Sequence, residues 1–119
     1  MQVIKSNKVA YCDVDKTLIM WEFGDKWHPH TAHIDLLKQF KYQGYTIIIW
    51  SAGGWEWAEK AVGLLGIQDL VDFVVNKPDW FIDDLPPTDF LPDHNRIYLD
   101  EYRRNKVSYD QDGRPIKHE

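Results

Sequence analysis

Tyr45-Thr46-Ile47-Ile48-Ile49-Trp50-Ser51-Ala52-Gly53-Gly54 is the stretch whose reading decides the fold. Tyr45 to Trp50 are all β-branched or aromatic, the composition that suits a pleated, buried surface, and no breaker interrupts them. Ser51 to Gly54 then supply a turn of small residues. Beyond it Trp57, Ala58, Ala61, Val62 and Leu65 recur at helical spacing until Gly66. Strand, tight turn, helix is the predicted unit.

Upstream, Val9-Ala10-Tyr11-Cys12 is a second unbroken run and predicts a buried first strand ending at Asp13. From Met20 to Pro29 the aromatics Trp21, Phe23 and Trp27 mix with Gly24, Asp25 and Pro29, which suits an irregular loop or short hairpin, a flap over something. Thr31 is placed to cap a helix bearing Ile34, Leu37 and Phe40, and Gly44 to end it. Downstream, Leu70 to Val75 predicts a third strand, Trp80-Phe81-Ile82 a short fourth and Arg96-Ile97-Tyr98-Leu99 a fifth, with breaks at Pro78, Pro86, Pro87 and Pro92. Strands alternating with helices predict an α/β domain with a mostly parallel sheet of about five strands. Residues 1–119 read as one domain, with its core over 8–100 and a polar tail over 101–119 that is loosely attached or a small hairpin.

A length of 119 residues, 44% of them hydrophobic and 28% charged, excludes a disordered or fibrous chain. The formal charge of −5 opposes non-specific attraction to nucleic acid or an anionic membrane. A lone cysteine, Cys12, excludes an internal disulfide, and the chain opens with no secretory pattern, so a cytoplasmic location is expected. No apolar stretch approaches the length that spans a bilayer, and no membrane partner is expected.

The polar residues fall at informative places. Asp13, Ser51 and Asp83 each follow directly on an apolar run, and Lys77 follows one with a single residue between. Parallel α/β sheets bring the carboxyl ends of their strands to one edge, where ligands bind. Asp13, Asp15, Ser51, Lys77, Asp83 and Asp84 are therefore expected together. Four carboxylates so gathered repel one another and call for a hard divalent cation, and all-oxygen ligation completed by a phosphate favours Mg²⁺. Lys77 would neutralise phosphate oxygens and hold a neighbouring carboxylate, while the Ser51 hydroxyl and the amides of Ala52 and Gly53 donate hydrogen bonds at a helix start. The expected ligand is a phosphoryl group.

Taken in order, Asp13-Val14-Asp15-Lys16-Thr17 after an apolar strand, Ser51 after Ile47 to Trp50, then Lys77, then Ile82-Asp83-Asp84, this chain resembles the haloacid dehalogenase (HAD) superfamily of phosphohydrolases. The resemblance spans roughly residues 8 to 100; Lys16 departs from it, standing where the family most often has glycine. It implies a Rossmann-like three-layer sandwich and a phosphomonoester hydrolase. Asp13 would be the nucleophile, forming an aspartyl-phosphate, and Asp15 the acid and then the base. The metal would take a carboxylate oxygen of Asp13, the Asp15 carbonyl and the Asp83 side chain, with Asp84 behind these ligands or bound through water.

Asp13 and Ser51 are separated by 37 residues and Ser51 and Lys77 by 25, too few for the family's inserted cap domain. A capless member is expected, with Met20 to His30 as its only lid. Such an open site suits a nucleotide, a polynucleotide end or a sugar phosphate, or is completed by a neighbouring copy in a homo-oligomer. Two alternatives share the same residues: a non-catalytic phosphate-binding relative and a receiver-like phospho-acceptor module.

Other clusters read as ordinary surface. His28, His30 and His33 lack the cysteines or carboxylate of a zinc site and are expected as exposed flap residues. Trp50 and Trp57 are expected in the core, whereas Trp21, Trp27 and Trp55 fall near the site mouth. Asp110 to Gly113 reads as a turn, and Arg103, Arg104 and Lys106 as a solvated face.

Overall fold

In the computed structural model, which describes residues 1–91, 95–97, 108–109 and 115–116, the chain divides into two compact units, Met1–Lys77 and Pro78–Glu119. The first unit is α/β. Its centre is strand β4 (Thr46–Ser51), which pairs in parallel with β1 (Val9–Cys12) on one side and β5 (Phe73–Asn76) on the other. Register places Cys12 beside Ile49 and Ser51 beside Asn76, so the three strands end at one edge.

Helices α1 (Thr31–Tyr42) and α2 (Trp55–Leu65) form the crossovers between these strands and pack against β4. They meet the face that carries Ile47 and Ile49, where Leu37, Ala58, Ala61 and Val62 close the core. Ile47, Ile48 and Ile49 are essentially inaccessible to solvent, and burying one such side chain contributes roughly 1.5–3 kcal/mol. This accounts for the unbroken apolar run. On the other sheet face the Tyr11 and Trp50 rings pack at 4.6 Å, while Tyr11, Phe73 and Val75 stay exposed.

Glycine ends both helices: Gly44 follows α1 with φ +87°, and Gly66 closes α2 in the left-handed conformation. Asp72 fastens the approach to β5. Its carboxylate accepts from the Ile47 amide at 2.8 Å and from Lys41 Nζ at 2.7 Å. Burial raises its pKa, but these hydrogen bonds outweigh that and hold it below the ordinary value.

The flap is a hairpin. Strands β2 (Ile19–Trp21) and β3 (Trp27–Pro29) pair antiparallel around a tip at Phe23 and Gly24. Its base is anchored because Ile19 and Met20 are buried, while Phe23 at the tip is almost fully exposed.

The second unit holds a short helix, α3 (Pro87–Phe90), and a two-stranded antiparallel pair, β6 (Ser108–Tyr109) and β7 (Pro115–Ile116). This pair lies in the stretch expected as a loosely attached tail or a small hairpin. The Phe81 and Phe90 rings approach to 5.8 Å.

Several expectations need correction. The third strand begins at Phe73, not Leu70, because Leu70 belongs to the turn after α2. Trp80-Phe81-Ile82 lies outside any strand, with Trp80 and Ile82 largely exposed. Pro78 before this run and Pro86-Pro87 soon after it remove the amide donors a longer strand would use. Arg96 and Ile97 are likewise outside any strand, and Tyr98 and Leu99 lie outside the described residues, as do Arg103, Arg104, Lys106 and the Asp110–Gly113 turn. Among the described residues the parallel sheet thus has three strands, against the five or so expected.

The histidines also depart from expectation. His30, not Thr31, caps α1, its Nδ1 accepting from the His33 amide at 3.1 Å. His33 is buried, its ring stacked on His30 at 3.7 Å and its Nδ1 2.7 Å from the Thr17 carbonyl. A carbonyl only accepts, so the neutral ring carries its proton on Nδ1. Burial lowers the His33 pKa from 6.5, and the bond to Thr17 offsets this only in part.

In the unfolded chain the same ring takes up its proton near 6.5, so below that pH the unfolded state binds more protons and the fold loses stability. This contribution is complete above 6.5 and declines as pH falls toward the lower folded-state value. Urea unfolding at pH 7.5 and 5.5 should show a weaker fold at 5.5. The difference should shrink in His33→Gln, which keeps a donor for Thr17 without titrating. An unchanged pH dependence in that variant would acquit His33.

Candidate functional site

The common edge of β1, β4 and β5 is built by backbone hydrogen bonds before any side chain acts. The Ser51 carbonyl accepts from the Lys77 amide at 3.1 Å and from the Gly54 amide at 3.2 Å. One oxygen thereby joins the end of β5 to the end of β4 and to the start of α2. Asn76 repeats the link with its side chain, whose Oδ1 caps α2 by accepting from the Trp55 amide at 2.6 Å.

On that edge Asp13 and Lys77 meet. Lys77 Nζ lies 3.2 Å from Asp13 Oδ1, and both side chains are about one-third exposed. Thr17 Oγ1 donates to the other oxygen, Oδ2, at 3.2 Å. Lys77 also lies 5.8 Å from the centre of the Trp50 ring, a cation–π approach that narrows where the ammonium can go. Cys12, next to Asp13, is chemically quiet: burial, and then the Asp13 charge, push its thiol up to about 12.

The loop from Asp13 to Ile19 is held by its own backbone. The Val14 carbonyl accepts from the amides of Leu18 at 2.8 Å and Ile19 at 3.0 Å, while Lys16 donates to the Ile19 carbonyl at 2.8 Å. To close this turn Lys16 adopts φ +63°, the left-handed region that glycine enters freely. Lysine thus stands where the backbone would favour glycine.

Asp15 has different partners. Trp21 Nε1, from the hairpin, donates to its Oδ1 at 3.0 Å, and Trp57 Nε1, from α2, donates to its Oδ2 at 3.1 Å. The two indoles stack at 6.2 Å, inclined by 26°.

Ser51 is buried, and its Oγ accepts from the Gly53 amide at 3.0 Å, which leaves its hydroxyl proton to donate elsewhere. Ala52 is exposed. Gly53 matters for lacking a side chain, since a Cβ there would come 3.2 Å from Trp57 Cδ1 and 3.3 Å from Ser51 Oγ.

The first unit thus brings Asp13, Ser51 and Lys77 to one edge, with Asp15, Ala52 and Gly53 in the adjoining turns. Asp83 and Asp84 belong to the second unit. There Asp83 Oδ1 accepts from the Leu85 amide at 3.0 Å, and this bond, followed by a hydrogen bond with Asp84, lowers the Asp83 pKa. Among the described residues no group of three or more His, Cys, Asp or Glu is gathered as a metal site. In the first unit the Asp13 carboxylate keeps lone pairs beyond its two contacts, as an oxygen ligand of a hard cation must.

Three contributors escaped the sequence reading. Thr17 was only part of a motif, Asn76 looked like a spacer before Lys77, and Trp57 at an apolar helical position read as core. The capping position of Asn76 was a usable signal, because a helix that starts at Gly54 has no side-chain cap of its own.

Against known proteins, no family model, curated protein or solved structure matches the chain. Among the described residues no helix is long and apolar enough to cross a membrane.

The left-handed turn supplies a direct test. A non-glycine residue at such φ costs roughly 1–2 kcal/mol, part of which glycine returns as unfolded-state entropy. Lys16 is exposed and loses little packing when replaced. Lys16→Gly should therefore raise the unfolding free energy by up to about 1 kcal/mol, and the β-branched Lys16→Val should lower it by about the same amount. Denaturant titration of both variants reads this directly, and shifts of the same sign and size in both would mean that the turn is not strained.

Proposed function

We propose that this protein is a Mg²⁺-dependent phosphatase of HAD type, capless and Rossmann-like, which hydrolyses a phosphomonoester through an aspartyl-phosphate on Asp13. The observation that supports this most is the 3.2 Å pair of Asp13 with Lys77, formed where two parallel strands end. An exposed ion pair contributes only about 0–1 kcal/mol, so stability alone gives little reason for it. An ammonium that steadies a nucleophilic carboxylate and then the charge on a phosphoryl group gives a chemical one.

In this mechanism an oxygen of Asp13 attacks phosphorus in line as the bond to the leaving oxygen breaks, and Asp15 gives that oxygen a proton. Asp15 then takes a proton from water, which attacks the phosphorus, releases inorganic phosphate and restores Asp13. Lys77, the Ser51 hydroxyl and the Ala52 amide hold the non-bridging oxygens, while the Gly53 amide, expected among them, donates to Ser51 Oγ and orients that hydroxyl. The Asp13 carboxylate and the Asp15 carbonyl would hold Mg²⁺, whose chemistry when bound would be to neutralise charge on the transferring group.

Strand order favours this over a receiver-like module. In the doubly wound order of receivers, 2-1-3-4-5, the first strand lies between the second and third. Here the second parallel strand, β4, is the central one. Chain-order neighbours of this kind form one half of a Rossmann-type sheet, which supports the larger sandwich as the parent architecture. The substrate classes that suit an open site are nucleotides, polynucleotide ends and sugar phosphates.

With Mg²⁺ present, p-nitrophenyl phosphate should be turned over, and both chelation and Asp13→Asn should reduce the rate to background. Lys77→Ala should cost about 10²–10³-fold in kcat, the usual loss for one group that stabilises transition-state charge. Phosphate binding without turnover across a panel of esters would instead favour a non-catalytic relative.

A further inference from the structure

We propose that Trp21 and Trp57 are positioning residues: their indole N–H groups clamp the Asp15 carboxylate from two sides, making the β2–β3 hairpin a working part of the site. The role assigned to Asp15 rests on the phosphatase reading; the clamp itself rests on geometry. Both Asp15 oxygens are engaged, at 3.0 Å by Trp21 and at 3.1 Å by Trp57. An indole has a single N–H and no acceptor, so each ring serves one oxygen and can do nothing else there. With its two ends so held, the carboxylate has one orientation.

The surroundings are arranged for this contact. Trp57 is reached across Gly53, where a Cβ would come within 3.2 Å of the indole, so the small residue beside Ser51 makes room for the ring. Trp21 comes from the other direction, at the last position of β2, and is 40% exposed. The offset stack of the two rings fixes one donor relative to the other. Asp15 is thereby the point where the strand-end loop, the hairpin and α2 meet through side chains. The hairpin's purpose in this arrangement is to deliver one hydrogen bond, and displacing it would free one oxygen of the acid.

Leaving-group chemistry separates positioning from mere structure. An alkyl phosphate needs its departing oxygen protonated, whereas p-nitrophenolate leaves with little help. Trp57→Phe and Trp21→Phe keep a ring and remove the N–H, and misplacing a catalytic group by a fraction of an ångström costs about 10-fold or more. In single turnovers, which report leaving-group release before Asp15 acts as base, each variant should therefore lose about 10-fold on an alkyl phosphate, with little change on p-nitrophenyl phosphate and an unchanged KM. Equal losses on both esters, or an effect confined to KM, would overturn the positioning role. Trp21→Phe, on the exposed hairpin, guards against a Trp57 variant that folds poorly.

A second measurement needs no turnover. In ¹⁵N-labelled protein the indole Nε1–H resonances of Trp21 and Trp57, assigned by their loss in the two Phe variants, should both move in Asp15→Ala. Resonances that stay in place would overturn the clamp. Absence of turnover of either ester by the unaltered protein would end the phosphatase reading, and the indole shifts would still decide the clamp.

Discussion

The hydrogen bond from the Lys77 amide to the Ser51 carbonyl is the contact on which the edge depends. It carries the pairing of β5 with β4 one residue beyond the last sheet partners, Ser51 and Asn76, and so fixes where the Lys77 side chain begins. The same carbonyl receives the Gly54 amide and sets the start of α2. Register does the rest on the other flank, because Cys12 beside Ile49 leaves Asp13 as the first residue past β1. The Lys77 ammonium and the Asp13 carboxylate thus meet through the geometry of parallel pairing, from the two strands that flank the one Ser51 ends.

That geometry is maintained by apolar burial away from the chemistry. The isoleucines of β4 and the small residues Ala58 and Ala61 let α2 lie close to the sheet, so the helix start sits directly over the strand end. His33 is buried among the apolar residues, as Ser51 is, and it joins α1 to the loop after Asp13 through the Thr17 carbonyl. The residue whose side chain steadies Asp13 is thus itself held through its backbone by a helix.

Much of this was legible in the sequence, because two independent signals agreed wherever the reading succeeded. Tyr45 to Gly54 combined an apolar run with a small-residue turn, and a single strand–turn–helix solution satisfied both. Gly44 and Gly66 punctuated the helices where the backbone takes positive φ. The reading failed where one signal stood alone. Trp80 to Ile82 had hydrophobicity but only three residues between prolines and acids, and it is exposed. His30 carries no propensity that marks it as a cap, and it caps because its ring nitrogen can turn back to His33. Trp57 was assigned to the core since its helical position is apolar, a pattern that describes the ring and is silent about the N–H. Sequence spacing put Asp13, Ser51 and Lys77 on one edge from strand ends alone, because that inference needs only that the strands be parallel.

The two acids of the first motif are given unlike surroundings although only Val14 separates them. Asp13 faces a full positive charge and a hydroxyl, so its negative charge is compensated and its oxygens are steadied by groups that a phosphate could also recruit. Asp15 faces two neutral N–H dipoles, which orient it without compensating its charge. Paired carboxylates that divide nucleophilic and proton-transfer work do so because their environments differ. Here the difference comes from topology: Lys77 arrives from the end of a parallel strand, whereas the indoles arrive from a helix and a hairpin that flank the loop. For the proposed reaction, exchanging the two partner sets would put an ammonium beside the proposed proton-transfer group and leave the charge of the proposed nucleophile uncompensated, so that proposal ties the order of the two aspartates to which side of the loop each faces.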